Sequence, residues 1–221
     1  GPQQGLGQAI DFFNQDPEVS KQLRWQVGFQ RELPGGFVFE AAYVGNYGYD
    51  IEHVRNINAL PNEYLNTDNS RTAAMNANNT FLTGSVPNPF AGLIPGSSLN
   101  NSTISRSQLL RPYPQFLDVR TTVNDGKSWY NAAQVGLQKR FSRGYTLGVS
   151  YTWSRWEQAT EYLNPDDDGP TRMISDLDVP HRLSVSAIYE LPFGNGKPIG
   201  GDASGVTEAI IGGWQLQGVY T

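Results

Sequence analysis

Apolar and polar residues alternate with a period of two along about six stretches of this chain. From Tyr145 to Arg155, the residues Tyr145, Leu147, Val149, Tyr151 and Trp153 fall on one side, and Thr146, Gly148, Ser150, Thr152 and Ser154 on the other. The preceding run, Tyr130 to Phe141, sets Ala133, Val135 and Leu137 against Gln134, Gly136, Gln138 and Arg140, with only Ser142-Arg143-Gly144 in between. Successive side chains of a pleated strand point to opposite faces, so this period predicts strands and not helices. Two such runs joined at a glycine predict an antiparallel hairpin.

The same pattern recurs along the chain. Leu23, Trp25, Val27 and Phe29 oppose Arg24, Gln26, Gly28 and Gln30. A turn at Leu33-Pro34-Gly35-Gly36 leads into Phe37, Phe39, Ala41 and Tyr43, with Glu40 and Asn46 on the other side. Further on, Leu183, Val185, Ala187 and Tyr189 oppose Arg182, Ser184, Ser186 and Glu190, and a last run begins Trp214-Gln215-Leu216-Gln217. The expected strands lie near 22–32, 37–47, 129–141, 145–155, 182–190 and 214–221, with long loops over 48–127 and 156–180. Residues 1–20, broken by Asp16-Pro17, read as the tail of a loop.

A face that is apolar in the middle and ends in Tyr and Trp suits two architectures. In a soluble sandwich it packs on a second sheet; in an outer-membrane barrel it faces lipid between aromatic girdles. The connections favour the barrel, because they run tight, very long, tight, long and intermediate. Structureless loops beyond about 12–15 residues are uncommon in compact domains. Barrels have short periplasmic turns, long extracellular loops and strands of about 9–11 residues. The expected fold is therefore all-β, an antiparallel transmembrane β-barrel segment of about six strands of a larger barrel. Gly35, Gly144 and Asn195 then belong to the periplasmic side, and Asn78 and Asp167 to extracellular loops. Arg31, Lys139 and Arg140 come near the inner interface, where long cations can snorkel.

Composition permits this reading. Mean hydropathy is −0.46 and no run approaches the roughly 20 apolar residues of a spanning helix, but barrel strands hide their membrane signal by alternation. A net charge of −5 and a pI near 5.0 oppose a nucleic-acid partner, which wants a basic stripe. Cysteine is absent, which excludes disulfides and thiolate chemistry. Gly1-Pro2-Gln3-Gln4 has neither an initiator Met nor a leader pattern, and the last run continues to Thr221, so a fragment of a longer chain is expected.

Candidate chemistry is sparse. Asn164-Pro165-Asp166-Asp167-Asp168-Gly169 starts like a calcium loop, but its twelfth position is Ser175 and Pro165 constrains it, so a solvated loop is expected. His181 follows Asp176 and Asp178, yet no serine sits in a nucleophile elbow, and His53 is the only other histidine. No enzyme activity, metal or cofactor is expected. Solute contacts are expected among the loop aromatics Tyr49, Tyr64, Phe81, Phe90, Tyr113 and Tyr162, which serve equally well to pack a loop on itself.

An ordered set of phrases carries a family resemblance from Leu23 onwards. It includes Trp25-Gln26-Val27-Gly28-Phe29-Gln30-Arg31, Val86-Pro87-Asn88-Pro89-Phe90, Leu110-Arg111-Pro112-Tyr113-Pro114-Gln115-Phe116, Ser150-Tyr151-Thr152-Trp153-Ser154, Pro180-His181-Arg182-Leu183 and Tyr189-Glu190-Leu191-Pro192-Phe193-Gly194. Together they resemble the barrel portion of Oar-like TonB-dependent outer-membrane receptors, the group with a carboxypeptidase-regulatory-like domain. The resemblance implies a Gram-negative outer membrane, a barrel of about 22 strands around a plug, and uptake of an extracellular solute energised through TonB. The implied partners are outer-membrane lipid, the receptor's own plug and remaining strands, TonB acting through that plug, and an unidentified solute. No plug is recognised in these residues. In a plugged barrel the polar row, Arg24, Gln26, Gln30, Glu40, Gln134, Gln138, Arg140, Arg182 and Glu190, would line the lumen. A passive channel-type or adhesin-like barrel that binds partners through its loops is the alternative.

Overall fold

The computed structural model describes residues 5–66 and 72–221; Gly1-Pro2-Gln3-Gln4 and residues 67–71 of the long connection lie outside the described residues. In chain order the strands are β1 (Ile10–Phe12), β2 (Lys21–Leu33), β3 (Phe37–Asn56), β4 (Ser85–Pro87) and β5 (Thr103–Ser105). They continue as β6 (Val119–Ser142), β7 (Tyr145–Ala159), β8 (Met173–Ile174), β9 (His181–Glu190) and β10 (Gln215–Tyr220). Three short helices join them: α1 (Ala73–Thr83), α2 (Arg106–Leu109) and α3 (Gly205–Ile211). No helix among the described residues is long and apolar enough to cross a membrane.

The chain divides into two compact units, the first built from Gln22–Tyr47, Ser128–Glu157 and Ile174–Thr221. Its sheet runs β10-β9-β7-β6-β3-β2. Register keeps each row on one face. Tyr145, Leu147, Val149 and Tyr151 stand opposite Tyr189, Ala187, Val185 and Leu183, and Thr152 stands opposite Arg182. Across β9 and β10, Leu216 meets Tyr189 and Gln215 meets Glu190. Since paired residues share a face, the apolar and polar rows continue across strands. The turn between β6 and β7 has φ of 55° at Arg143 and 82° at Gly144, the double left-handed turn whose twist matches that of a hairpin.

A sandwich would cover the apolar row with a second sheet. The only other sheet among the described residues is the two-stranded β4–β5 pair. The row is instead open, with Val27 73% and Trp153 61% exposed. In water each Å² of such surface forfeits about 25 cal/mol, so a continuous open row of this kind calls for an apolar medium or partner.

One outward cation is accommodated locally. Lys139 is 3% exposed, its Nζ 3.9 Å from the Tyr145 ring centroid and 5.9 Å from that of Phe37. It donates to the carbonyl of Ser142 at 2.9 Å and to its Oγ at 2.6 Å. The amine thus reaches polar groups of the turn while the stem stays between rings.

The second unit comprises Gly1–Lys21, Gly48–Lys127 and Gln158–Met173. Here the sequence expectation needs correction. β3 continues to Asn56, β6 begins at Val119 and β7 reaches Ala159, so the first connection spans 57–118 and the next strand-free stretch starts at 160. Residues such as Asp50, Glu52, Arg55 and Asn124 hide these extensions, because the strand ends lack the apolar half of the pattern. Residues 1–20 are not all loop either, since β1 pairs in parallel with β6 from Ile10 opposite Val119 to Phe12 opposite Thr121.

The long connection has a core of its own, Ile94, Leu99 and Ile104, with Leu6, Val86, Phe90, Leu109 and Leu117 against it. Buried amides supply what that small core lacks. Asn88 Nδ2 donates to the carbonyls of Leu99 at 2.7 Å and Asn101 at 2.6 Å, and Gln108 Nε2 to those of Pro114 at 2.9 Å and Phe116 at 2.7 Å. These amides satisfy backbone groups that neither helix nor sheet would pair. Thr72 caps α1 by accepting from the amide of Met75 at 3.2 Å.

Candidate functional site

An open hollow of about 830 Å³ lies along the polar row of the first unit. Gln26, Gln30, Glu40, Gln134, Ser150 and Thr152 contribute its hydrogen-bonding groups. Small residues hold it open. A Cβ at Gly136 would meet Glu40 Cβ at 3.6 Å, and one at Gly28 would meet Ala42 Cβ at 3.1 Å. Amides offer both donors and acceptors, and Glu40 is the only acidic or basic side chain in the lining. Such a surface docks a polar partner through hydrogen bonds, with little net charge.

The other residues of that row stand outside this hollow. Arg24, Gln138 and Arg140 are exposed on β2 and β6, and Arg182 is exposed opposite Thr152. Glu190 is paired with Lys197 at 2.7 Å.

The expected solute-binding aromatics do not form one set. Phe90 packs against the core of the long connection, which removes it from any open platform. Tyr64 ends a short helical turn, where a hydrogen bond from its hydroxyl to Glu63 raises its pKa above the usual tyrosine value. Phe81 is exposed, with the Arg106 guanidinium 4.1 Å from its ring centroid, and Tyr113 is also exposed. Tyr49 has Lys21 Nζ at 5.6 Å from its ring centroid.

Tyr162 belongs to a network that local reading missed. Its hydroxyl donates a short hydrogen bond to Asp125 Oδ2, and His53 Nε2 lies 2.6 Å from Asp125 Oδ1. The Arg55 guanidinium covers the Tyr162 ring at 4.4 Å and donates to the carbonyls of Pro165 at 3.1 Å and Asp167 at 2.9 Å. Burial pushes the Tyr162 hydroxyl up to about 12, and the bond to Asp125 adds to the shift. Burial would raise Asp125 too, but hydrogen bonds from Tyr162 and His53 outweigh it and hold the carboxyl below its ordinary value. His53 and Asp125 are 72 positions apart, so no spacing motif could have announced the pair.

The acidic loop is occupied by its own chain. Asp167 accepts from Asn62 Nδ2 at 2.7 Å and the Asn164 amide at 2.9 Å, and Asp166 accepts from the Asn62 amide at 3.0 Å. Among the described residues, no three His, Asp or Glu side chains converge as a metal-binding group would require. His181 hydrogen-bonds Tyr151 at 2.8 Å and stacks on its ring, while Asp178 accepts the Trp156 amide at 2.8 Å.

The whole chain, residues 1–221, matches the protein family described as "outer membrane beta barrel domain". No curated protein and no solved structure matches the chain.

Proposed function

Because the chain belongs to the outer membrane beta barrel domain family, we propose that it forms part of the wall of an Oar-like TonB-dependent receptor, which imports an extracellular solute. Family membership implies the bacterial outer membrane, and the apolar row then faces its lipid. The observation that carries the transport reading is the polar hollow. Gln26, Gln30, Glu40 and Gln134 present donors and acceptors along an open hollow of about 830 Å³ with a single carboxylate and no cation. Ion-selective pores are commonly lined by rings of like charge. An amide-rich wall suits a plug docked by hydrogen bonds. The plug and the TonB-contacting segment belong to the rest of the receptor, and the exposed Phe81 and Tyr113 are the first loop residues to test for solute contact.

Photocrosslinking in cells tests this reading. A photoreactive residue at Gln134 of the intact protein should crosslink within the same polypeptide, and that protein should capture the periplasmic domain of TonB. A passive barrel would instead give no TonB capture and a steady ion conductance in planar bilayers, which would overturn the proposal.

A further inference from the structure

We propose that the apolar face carries a binding site for one phosphorylated, acylated lipid of the outer leaflet. The site is a second hollow, of about 560 Å³, lined by Tyr43 of β3, Asn131 and Ala133 of β6, and Trp153 and Arg155 of β7. These strands are neighbours in the order β7-β6-β3. The small Ala133 on the middle strand leaves a floor between two rings, Tyr43 and Trp153. Rings on either side of a low floor form a slot suited to a hydrocarbon chain. The slot is continuous with the row that the family places against lipid, which selects a lipid occupant over a soluble one.

Polar groups gather at one end of the hollow. Asn131 Oδ1 accepts the Tyr43 hydroxyl at 2.6 Å, which orients the amide and leaves Nδ2 to donate. The Arg155 side chain is 63% exposed and uses one nitrogen on Glu157 at 3.1 Å. Guanidinium offers five donors in a planar fork that fits phosphate, so donors remain beyond that contact. His181 stands opposite Trp153 in the β7–β9 register, adding a second basic side chain to the same row. Asp178 also borders the hollow, but its Oδ1 is committed to the Trp156 amide. An arginine on a lipid-facing row is costly at mid-bilayer and tolerable at an interface. Arg155 lies 11 positions along from Tyr145 at the inner turn, inclusive, which is about the length of one crossing. It therefore meets headgroups and not acyl chains.

This inference rests on the outer-membrane placement and not on the TonB reading. The test uses the intact protein, delipidated in mild detergent and titrated with lipid A, a diphosphorylated acylated disaccharide, and with its dephosphorylated form. Bound lipid is counted by native mass spectrometry. Arg155→Gln should weaken lipid A binding about tenfold, the scale of a lost charge-assisted contact, while changing binding of the dephosphorylated probe little. Ala133→Phe, which fills the slot, should weaken both probes. Gln134→Ala on the polar row should change neither. Heat-modifiable gel mobility checks that each variant is folded, and Arg155→Lys, with intermediate retention expected, replaces Arg155→Gln if that variant fails to fold. Equal loss of both probes in Arg155→Gln, or full retention in Ala133→Phe, overturns the site. TonB capture by the Arg155 and Ala133 variants should stay at the wild-type level, so failure here is distinguishable from failure of the receptor reading.

Discussion

Replacing Asn58 should loosen the folded connection without touching the strands of the first unit. The side chain is fully buried. Its Nδ2 donates to the carbonyls of Tyr113 at 3.0 Å, Phe116 at 3.1 Å and Leu117 at 3.3 Å, and its Oδ1 accepts the Tyr113 amide at 2.8 Å. Asn58→Ala deletes all of these bonds, but the losses are unequal. The Phe116 carbonyl keeps Gln108 Nε2 at 2.7 Å, and the Leu117 carbonyl keeps the Arg111 guanidinium. The Tyr113 carbonyl keeps the Phe116 amide at 3.1 Å, so only the Tyr113 amide is left without a partner, and a buried unpaired group costs about 1–3 kcal/mol. The expected loss is therefore about 1–3 kcal/mol. Asn58→Asp should cost more, since it turns a carboxylate toward three carbonyl oxygens. Hydrogen exchange of the intact protein in detergent reads the effect directly. Amides across 111–118 should exchange about 5- to 150-fold faster in Asn58→Ala, while those of β9 and β10 stay unchanged. Exchange within about threefold of wild type across 111–118 would show that the amide does not hold this connection.

Three further outcomes follow from the same geometry. At Gly45 a Cβ would fall inside the Trp25 indole, so Gly45→Ala should push that ring off the apolar row and lower stability by about 1–3 kcal/mol in urea titrations followed by circular dichroism. Lys139→Ala should cost about 2–4 kcal/mol in the same assay and Lys139→Met under about 1.5, because methionine keeps the stem between Phe37 and Tyr145. Asp125 has a depressed native pKa, so the stability it contributes is present above its unfolded value near 3.9 and is lost as pH falls through the native one. Exchange protection of residues 160–172, corrected for intrinsic rates, should therefore hold above about pH 5 and fall progressively as pH drops below about 3.9, and Asp125→Asn should flatten that profile.

Different parts of the protein were unequally legible. Tyr145, Leu147 and Val149 announce their face because a strand writes its two sides into neighbouring positions. Gly144 announces its turn because a left-handed φ favours glycine. Asp50, His53 and Asn124 announce nothing, because their strand ends are held by backbone pairing while polar side chains mask the period. Phe90 and Tyr162 looked alike as loop aromatics, yet one packs against a small core and the other ties its hydroxyl to Asp125.

By itself the order of residues determined which side chains share a face, where the tight turns fall, and that one face of the sheet needs an apolar covering, lipid or protein. Those properties are local, set by residues a few positions apart. Only the tertiary structure decided that the 57–118 connection folds around Ile94, Leu99 and Ile104, that Asn58 reaches Tyr113, and that His53, Asp125 and Tyr162 meet. Each of those contacts joins segments remote in the chain or closes a loop whose entropy must be offset by several bonds at once, and no short stretch of sequence carries that sum.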